Sequence, residues 1–311
     1  MNRKLPFSWP SAIASLAVMF LLVCLASTPA AAQSPSVVGQ WSSVMSWSVE
    51  AIHMNVLPNG KVMIWGPYGN STIAQIWDPV LNTMVPSAAA PYPGFCSAHV
   101  QMADGQLMVV GGLVQPGIRG APDARIYNYL TNTWTDLPDM NDGRYYPTAT
   151  ALPNGDVLAL SGNGTTSVNF LPQIWHVATS SWVNLSSAAM ALPLYPKMFV
   201  APNGQVFYAG PTPATRYLDT TGTGSWSKTL MPTANPKLVR DYGPAVMYDA
   251  GKVLLVGGAR PPVASAEIID LNAATPPATN KAMSRIKKNG WFKPNAINRL
   301  IMGVTFHSGR C

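Results

Sequence analysis

Five short signatures in this chain can be laid under one another: LPNGKVMIWG from Leu57, MADGQLMVVGG from Met102, LPNGDVLALSG from Leu152, APNGQVFYAG from Ala201 and YDAGKVLLVGG from Tyr248. Their turn glycines, Gly60, Gly105, Gly155, Gly204 and Gly251, lie 45, 50, 49 and 47 residues apart. In each, a tight turn separates two apolar runs and the second run ends at glycine, as in two short strands of a hairpin. Asn-Gly and Asp-Gly pairs suit a two-residue hairpin turn, because they tolerate the positive φ angles it needs. A period in the forties with four short strands per unit implies the blades of a β-propeller, none of which can bury both faces without neighbours.

The remaining strands of each unit are also readable. Apolar-aromatic runs follow the closing glycines at Gln75–Asp78, Ala124–Tyr127, Gln173–Trp175, Arg216–Asp219 and Glu267–Asp270, and turns then lead to Trp134, Trp182 and Trp226. Large aromatics at such places serve packing between blades. A hairpin, a double glycine and a later tryptophan together resemble the kelch repeat. The sequence thus predicts an all-β fold, a kelch-type propeller of four-stranded antiparallel blades, with about five of an expected seven present.

The ends of the chain fall outside this pattern. Arg3 and Lys4, an apolar run from about Ala12 to Ala26 and the small residues Ala30–Ala32 read as a signal peptide over residues 1–32. The protein is therefore expected to be secreted, to a periplasm or the cell exterior, with no membrane association once the leader is removed. The propeller spans 33–275, and 276–311 is an atypical basic tail that reads as a product of truncation or frameshift. Arg3 and Lys4 belong to the leader, and seven of the 20 basic residues lie in the last 31. That leaves 11 basic against 13 acidic residues between 33 and 280, so the overall charge of +7 is no argument for nucleic acid. Of three cysteines, Cys24 leaves with the leader, and Cys96 and Cys311 are too few for a disulfide framework.

Counting back nine residues from each turn glycine gives one position per blade: Ala51, Cys96, Tyr146, Tyr195 and Tyr242. Equivalent positions in successive blades share one height and radius about the axis and can converge on one site. With these residues in view, FCSAHVQMADGQLMVVGG from Phe95 and GRYYPTATALPNGDVLALSG from Gly143 resemble galactose oxidase and the glyoxal oxidase-like copper radical oxidases. The resemblance covers roughly Val38 to Leu271. It implies that Cys96 and Tyr146 form the thioether-linked radical cofactor, that Tyr146 also ligates copper, and that Tyr242 lines the substrate cavity.

The same resemblance implies two-electron oxidation of a small alcohol, aldehyde or carbohydrate, with reduction of O₂ to H₂O₂. It also calls for an axial Tyr-His pair from a seventh blade and a second His from a later domain, and neither segment is found in this sequence. His53, two residues beyond Ala51, is the histidine placed to look into the central cavity. His99, three residues past Cys96 on a strand, should point to the opposite face. The expectation is an oxidase-like chain without activity of its own. The alternative is a non-catalytic kelch propeller that binds a protein or glycan, since propellers host many functions.

Overall fold

The computed structural model describes residues 43–67, 73–114, 119–227, 231–232 and 237–272, with Ser34, Gly39, Gln40 and Gly117 besides. The leader and tail readings fall outside these residues. Five antiparallel sheets follow one another along the chain. The first holds β1 (His53–Val56), β2 (Val62–Trp65), β3 (Gln75–Asp78) and β4 (Thr83–Pro86). The second holds β5 (Ala98–Gln101) and β6 (Leu107–Val110) with β9 (Ala124–Asn128) and β10 (Thr133–Leu137), and between β6 and β9 the chain forms a separate small hairpin of β7 (Leu113–Val114) and β8 (Arg119–Gly120). The third holds β11 (Thr148–Ala151), β12 (Val157–Leu160), β13 (Gln173–His176) and β14 (Ser181–Asn184). The fourth holds β15 (Met198–Val200), β16 (Val206–Tyr208), β17 (Ala214–Asp219) and β18 (Ser225–Trp226), with β19 (Met231–Pro232) paired to β17. The fifth is described with three strands, β20 (Ala245–Asp249), β21 (Lys252–Val256) and β22 (Ala266–Asp270). These are the five propeller blades.

The turn chemistry differs from a two-residue hairpin. In blade three the Gly155 amide donates to Leu152 O at 2.9 Å and the Leu152 amide to Asp156 O at 2.8 Å, closing a three-residue loop. Only Gly155 has positive φ, at 90°. Pro153 is suited to the first central position of a type I turn, so the left-handed step falls on the glycine alone, while Asn154 Oδ1 accepts from the Asp156 amide at 3.2 Å. The same pair of backbone bonds recurs at Leu57, Met102 and Ala201.

Each second strand is buried on both faces, which explains its unbroken apolar run. Val157 and Ala159 pack with blade two around Met108 and Trp175, while Leu158 and Leu160 pack with blade four around Val206 and Leu218. Equivalent clusters join blades one and two and blades four and five. The fourth-strand tryptophans pin neighbours together: Trp134, Trp182 and Trp226 donate their indole N–H to Ala88 O, Pro138 O and Ala188 O, at 3.1, 2.8 and 2.8 Å. Each acceptor lies in the segment that leaves the preceding blade.

A buried guanidinium recurs beside the start of the first strand, supplied from two different places. Arg144 and Arg240, two residues before Tyr146 and Tyr242, reach toward Gln173 and Glu267 on the third strands. In blade two the residue before Cys96 by two is Gly94, and Arg125, which pairs with Val109 as Gln173 pairs with Ala159 and Glu267 with Leu255, supplies the cation instead. A Cβ on Gly94 would come within 2.6 Å of Arg125 Nη2.

Candidate functional site

The positions found by counting back from the turns share a backbone conformation. Cys96, Tyr146, Tyr195 and Tyr242 have φ of 54°, 66°, 49° and 57°, in the left-handed region that non-glycine residues seldom adopt. Successive blades are laced there: the Tyr146 amide donates to Cys96 O at 3.1 Å and the Tyr195 amide to Tyr146 O at 2.9 Å. Ala51 is the exception, and blade one supplies a side chain in its stead, since the Cys96 amide donates to His53 Nε2 at 3.0 Å.

The segment carrying Tyr146 is clamped on both sides. The Arg144 amide donates to Ala121 O at 3.0 Å and Arg144 O accepts from the Gly112 amide at 2.9 Å, while Tyr145 and Asn163 exchange both backbone bonds. Glycine is needed alongside: a Cβ on Gly111 or Gly120 would collide with the Arg144 backbone. The Arg144 guanidinium is wholly buried, and it donates to Ser161 O, Leu171 O and Asn141 Oδ1 at 3.0, 2.6 and 3.1 Å. Burial pulls its pKa down to about 9, so the charge persists at neutral pH, held by these oxygens.

Cys96 is fully buried in a cluster with Phe95, Leu113 and Tyr145, and Tyr146 packs against that cluster. The Cys96 sulfur is engaged in a disulfide whose other half lies outside the described residues, a pairing the sparse cysteine count did not suggest. Tyr145 is a site residue that the sequence reading passed over. Its ring centroid lies 4.0 Å from that of Tyr146, and its hydroxyl donates to the Tyr146 phenol oxygen at 3.0 Å. Tyr195 meets the other side of Tyr146 edge-on, with centroids 4.9 Å apart. Burial pushes the Tyr146 phenol well above the usual tyrosine range, and the nearby phenols add to the rise. Tyr146 therefore stays protonated at neutral pH unless a cation takes the place of its proton.

His53, expected to look into the cavity, is 1% exposed, stacked on Trp65 at 4.9 Å and edge-on to His99 at 5.3 Å, and its Nε2 is engaged by the Cys96 amide. His99 packs edge-on against Trp65 as well. Tyr242 is 63% exposed with the Arg260 guanidinium 4.7 Å above its ring, so it is not packed between blades. Among the described residues no group of three or more His, Cys, Asp or Glu side chains is placed to hold a metal ion. Around Tyr146 they supply phenols without an imidazole, which does not fit a copper(II) site requiring nitrogen donors.

The kelch motif family matches residues 94–141. Galactose oxidase of Gibberella zeae is 24% identical over 302 residues, covering 87% of this chain and 42% of the relative. A WSC domain-containing protein of Arthroderma benhamiae is 28% identical over 130 residues, covering 37% of this chain and 14% of that protein. In structure, the chain is similar to a fungal alcohol oxidase of the AA5 family solved in complex with copper. The TM-score is 0.65 at 20% identity, over 75% of this chain and 53% of that one. The chain thus spans about two fifths of the length of the galactose oxidases it matches. It is similar in sequence to galactose oxidase and carries a kelch motif on a β-propeller.

Proposed function

We propose that this chain carries the cysteine–tyrosine half of a copper-radical oxidase centre, acting on small alcohols, aldehydes or carbohydrates in a secreted protein. The observation that carries this reading is the juxtaposition of Cys96 and Tyr146, in matching positions of adjacent blades, joined by an N–H···O bond of 3.1 Å. The similarity to galactose oxidase supports it. Copper at Tyr146 would need imidazole ligands beyond the phenols that the described residues bring there, and little turnover is expected until such ligands are supplied.

The chain's own residues have definable tasks. Cys96 and its neighbours shield one side of Tyr146, Tyr145 stacks on its ring and donates a hydrogen bond to its phenol oxygen, and the Arg144 clamp fixes the segment. A thioether between Cys96 and Tyr146 forms one S–C bond and releases two hydrogens, which dioxygen accepts as peroxide. The Cys96 disulfide must be reduced first. The test is intact mass and peptide mapping after reduction, copper loading and exposure to air, with Tyr146→Phe as control. A loss of two hydrogens mapped to the Cys96 and Tyr146 peptides supports the reading. No cross-link, even in a copper-loaded relative with the full-length architecture, would leave a kelch-type binding module for protein or glycan as the better reading.

A further inference from the structure

A second candidate site lies at the other end of blade three. The first strand β11 runs away from Tyr146 to the turn at Pro153–Gly155, and β13, parallel to it across β12, ends at the same level with His176. There a groove of about 540 Å³ opens between blades three and four. Its walls are largely apolar, including Leu152, Ile174 and Val183, with His176 and Thr220 among its polar groups. This volume is within the range of small-molecule sites.

Comparison of the blades shows why His176 is unusual. The residue after each turn glycine faces the last residue of the third strand, and the pairs are Lys61 and Asp78, Gln106 and Asn128, Asp156 and His176, Gln205 and Asp219, and Lys252 and Asp270. In the other four blades, the third-strand Asp or Asn caps the turn that follows, as when Asp78 Oδ1 accepts from the Val80 and Leu81 amides at 3.0 and 3.1 Å. Blade three has the carboxylate on the opposite strand. Asp156 Oδ1 reaches across to cap the Val177 amide at 3.0 Å, and Asp156 Oδ2 accepts from Asn154 Nδ2 and pairs with His176 Nδ1 at 2.8 and 2.7 Å. The turn keeps its cap, and the vacated position holds an imidazole oriented by a buried carboxylate. Its Nε2 edge is left for the groove, with the His176 side chain 38% exposed.

The donor set narrows the ligand. No lysine or arginine lines the groove, so an anion has no counter-charge. A metal ion would find one imidazole and a carboxylate whose two oxygens are already engaged. A ring of sugar hydroxyls would need more polar partners than remain, because Asn154 is spent on Asp156 and the Thr221 hydroxyl donates to Asp219 at 2.7 Å. We propose that the groove binds a small neutral molecule with an apolar body and one hydroxyl, such as an aryl or short-chain alcohol, its hydroxyl held by His176 Nε2. The site is independent of the Cys96–Tyr146 reading.

The test is imidazole NMR of the full chain with labelled histidine, titrated with benzyl alcohol, toluene or methyl galactoside; His176→Asn assigns the resonance. Benzyl alcohol should shift the His176 signal saturably, and the other two probes should bind at least tenfold more weakly. The pair Asp156→Gln with His176→Asn installs the Gln106 and Asn128 arrangement of blade two, so the fold should be retained while saturation transfer to benzyl alcohol is lost. Thr220→Arg, which plugs the groove from its rim, should abolish the shift independently. No saturable shift in the unaltered chain, equal response to toluene, or undiminished binding in a folded variant would each overturn the proposal.

Discussion

Tyr146 and Tyr145 show how one backbone angle builds a site. In an extended strand, neighbouring side chains point to opposite faces. The positive φ at Tyr146 breaks that alternation and lets two consecutive rings stack at 4.0 Å. Arg144 holds this geometry, and Arg144→Met should leave several buried carbonyl and amide oxygens without a donor. The expected loss is about 3 kcal/mol in chemical denaturation, the scale for charged hydrogen bonds removed from an interior. A loss under about 1 kcal/mol would show that the clamp is dispensable. The register of Cys96 and Tyr146 was legible in the sequence because hairpins of equal length put equivalent residues at equal distances from the turn. Tyr145 was not legible, since the count from the turns singles out one residue per blade and strand alternation would turn its neighbour away. For His53, alternation predicts a facing direction and cannot show that the Cys96 amide of the next blade engages its Nε2. The signal for His176 was present, a histidine in a column otherwise held by Asp and Asn, but it emerges only when the blades are compared with one another.

At the level of elements, the joints between blades rest on single bonds that can be removed. Trp182→Phe keeps a ring against Trp175 but loses the 2.8 Å bond to Pro138 O. About 1 kcal/mol of stability should go with it in thermal unfolding, and a similar change is expected for Trp226→Phe. Lys197, just before β15, ties blade four to blade five by donating to Arg240 O at 3.0 Å. Burial, with the Arg240 charge adding to it, lowers its pKa from 10.5 to about 8. Between pH 8 and 10 the unfolded chain then binds more protons at this residue than the folded one, so its contribution to stability rises with pH. The stability difference between the unaltered chain and Lys197→Met should therefore shift in favour of the unaltered chain over that window. Taking the difference cancels the buried tyrosines, whose raised pKa values act in the opposite sense above pH 10. A difference independent of pH would mean that Lys197 titrates normally.

For the propeller as a whole, the four inter-blade clusters explain why the repeat count predicted the architecture: the second strands of blades two, three and four are apolar on both faces because a neighbour covers each face. What the count could not give was the placement of the buried cations. Arg125, Arg144 and Arg240 serve one volume per blade from two different places in the repeat, the third strand in blade two and the segment before the first strand in blades three and five. Gly94→Arg alone should be strongly destabilising, because two guanidinium groups would compete for one space, and Arg125→Gln alone should leave a hole beside Tyr92 and Gly94. Made together, the two changes rebuild the arrangement of blade three, with Arg144 and Gln173 as template, and should recover most of the lost stability. Additive losses in the double variant would refute the equivalence. If the exchange succeeds, ancestry among the blades is better traced by which cavities are filled than by which columns agree. An alignment that scores residues one position at a time would record two unrelated substitutions where the molecule has made one move.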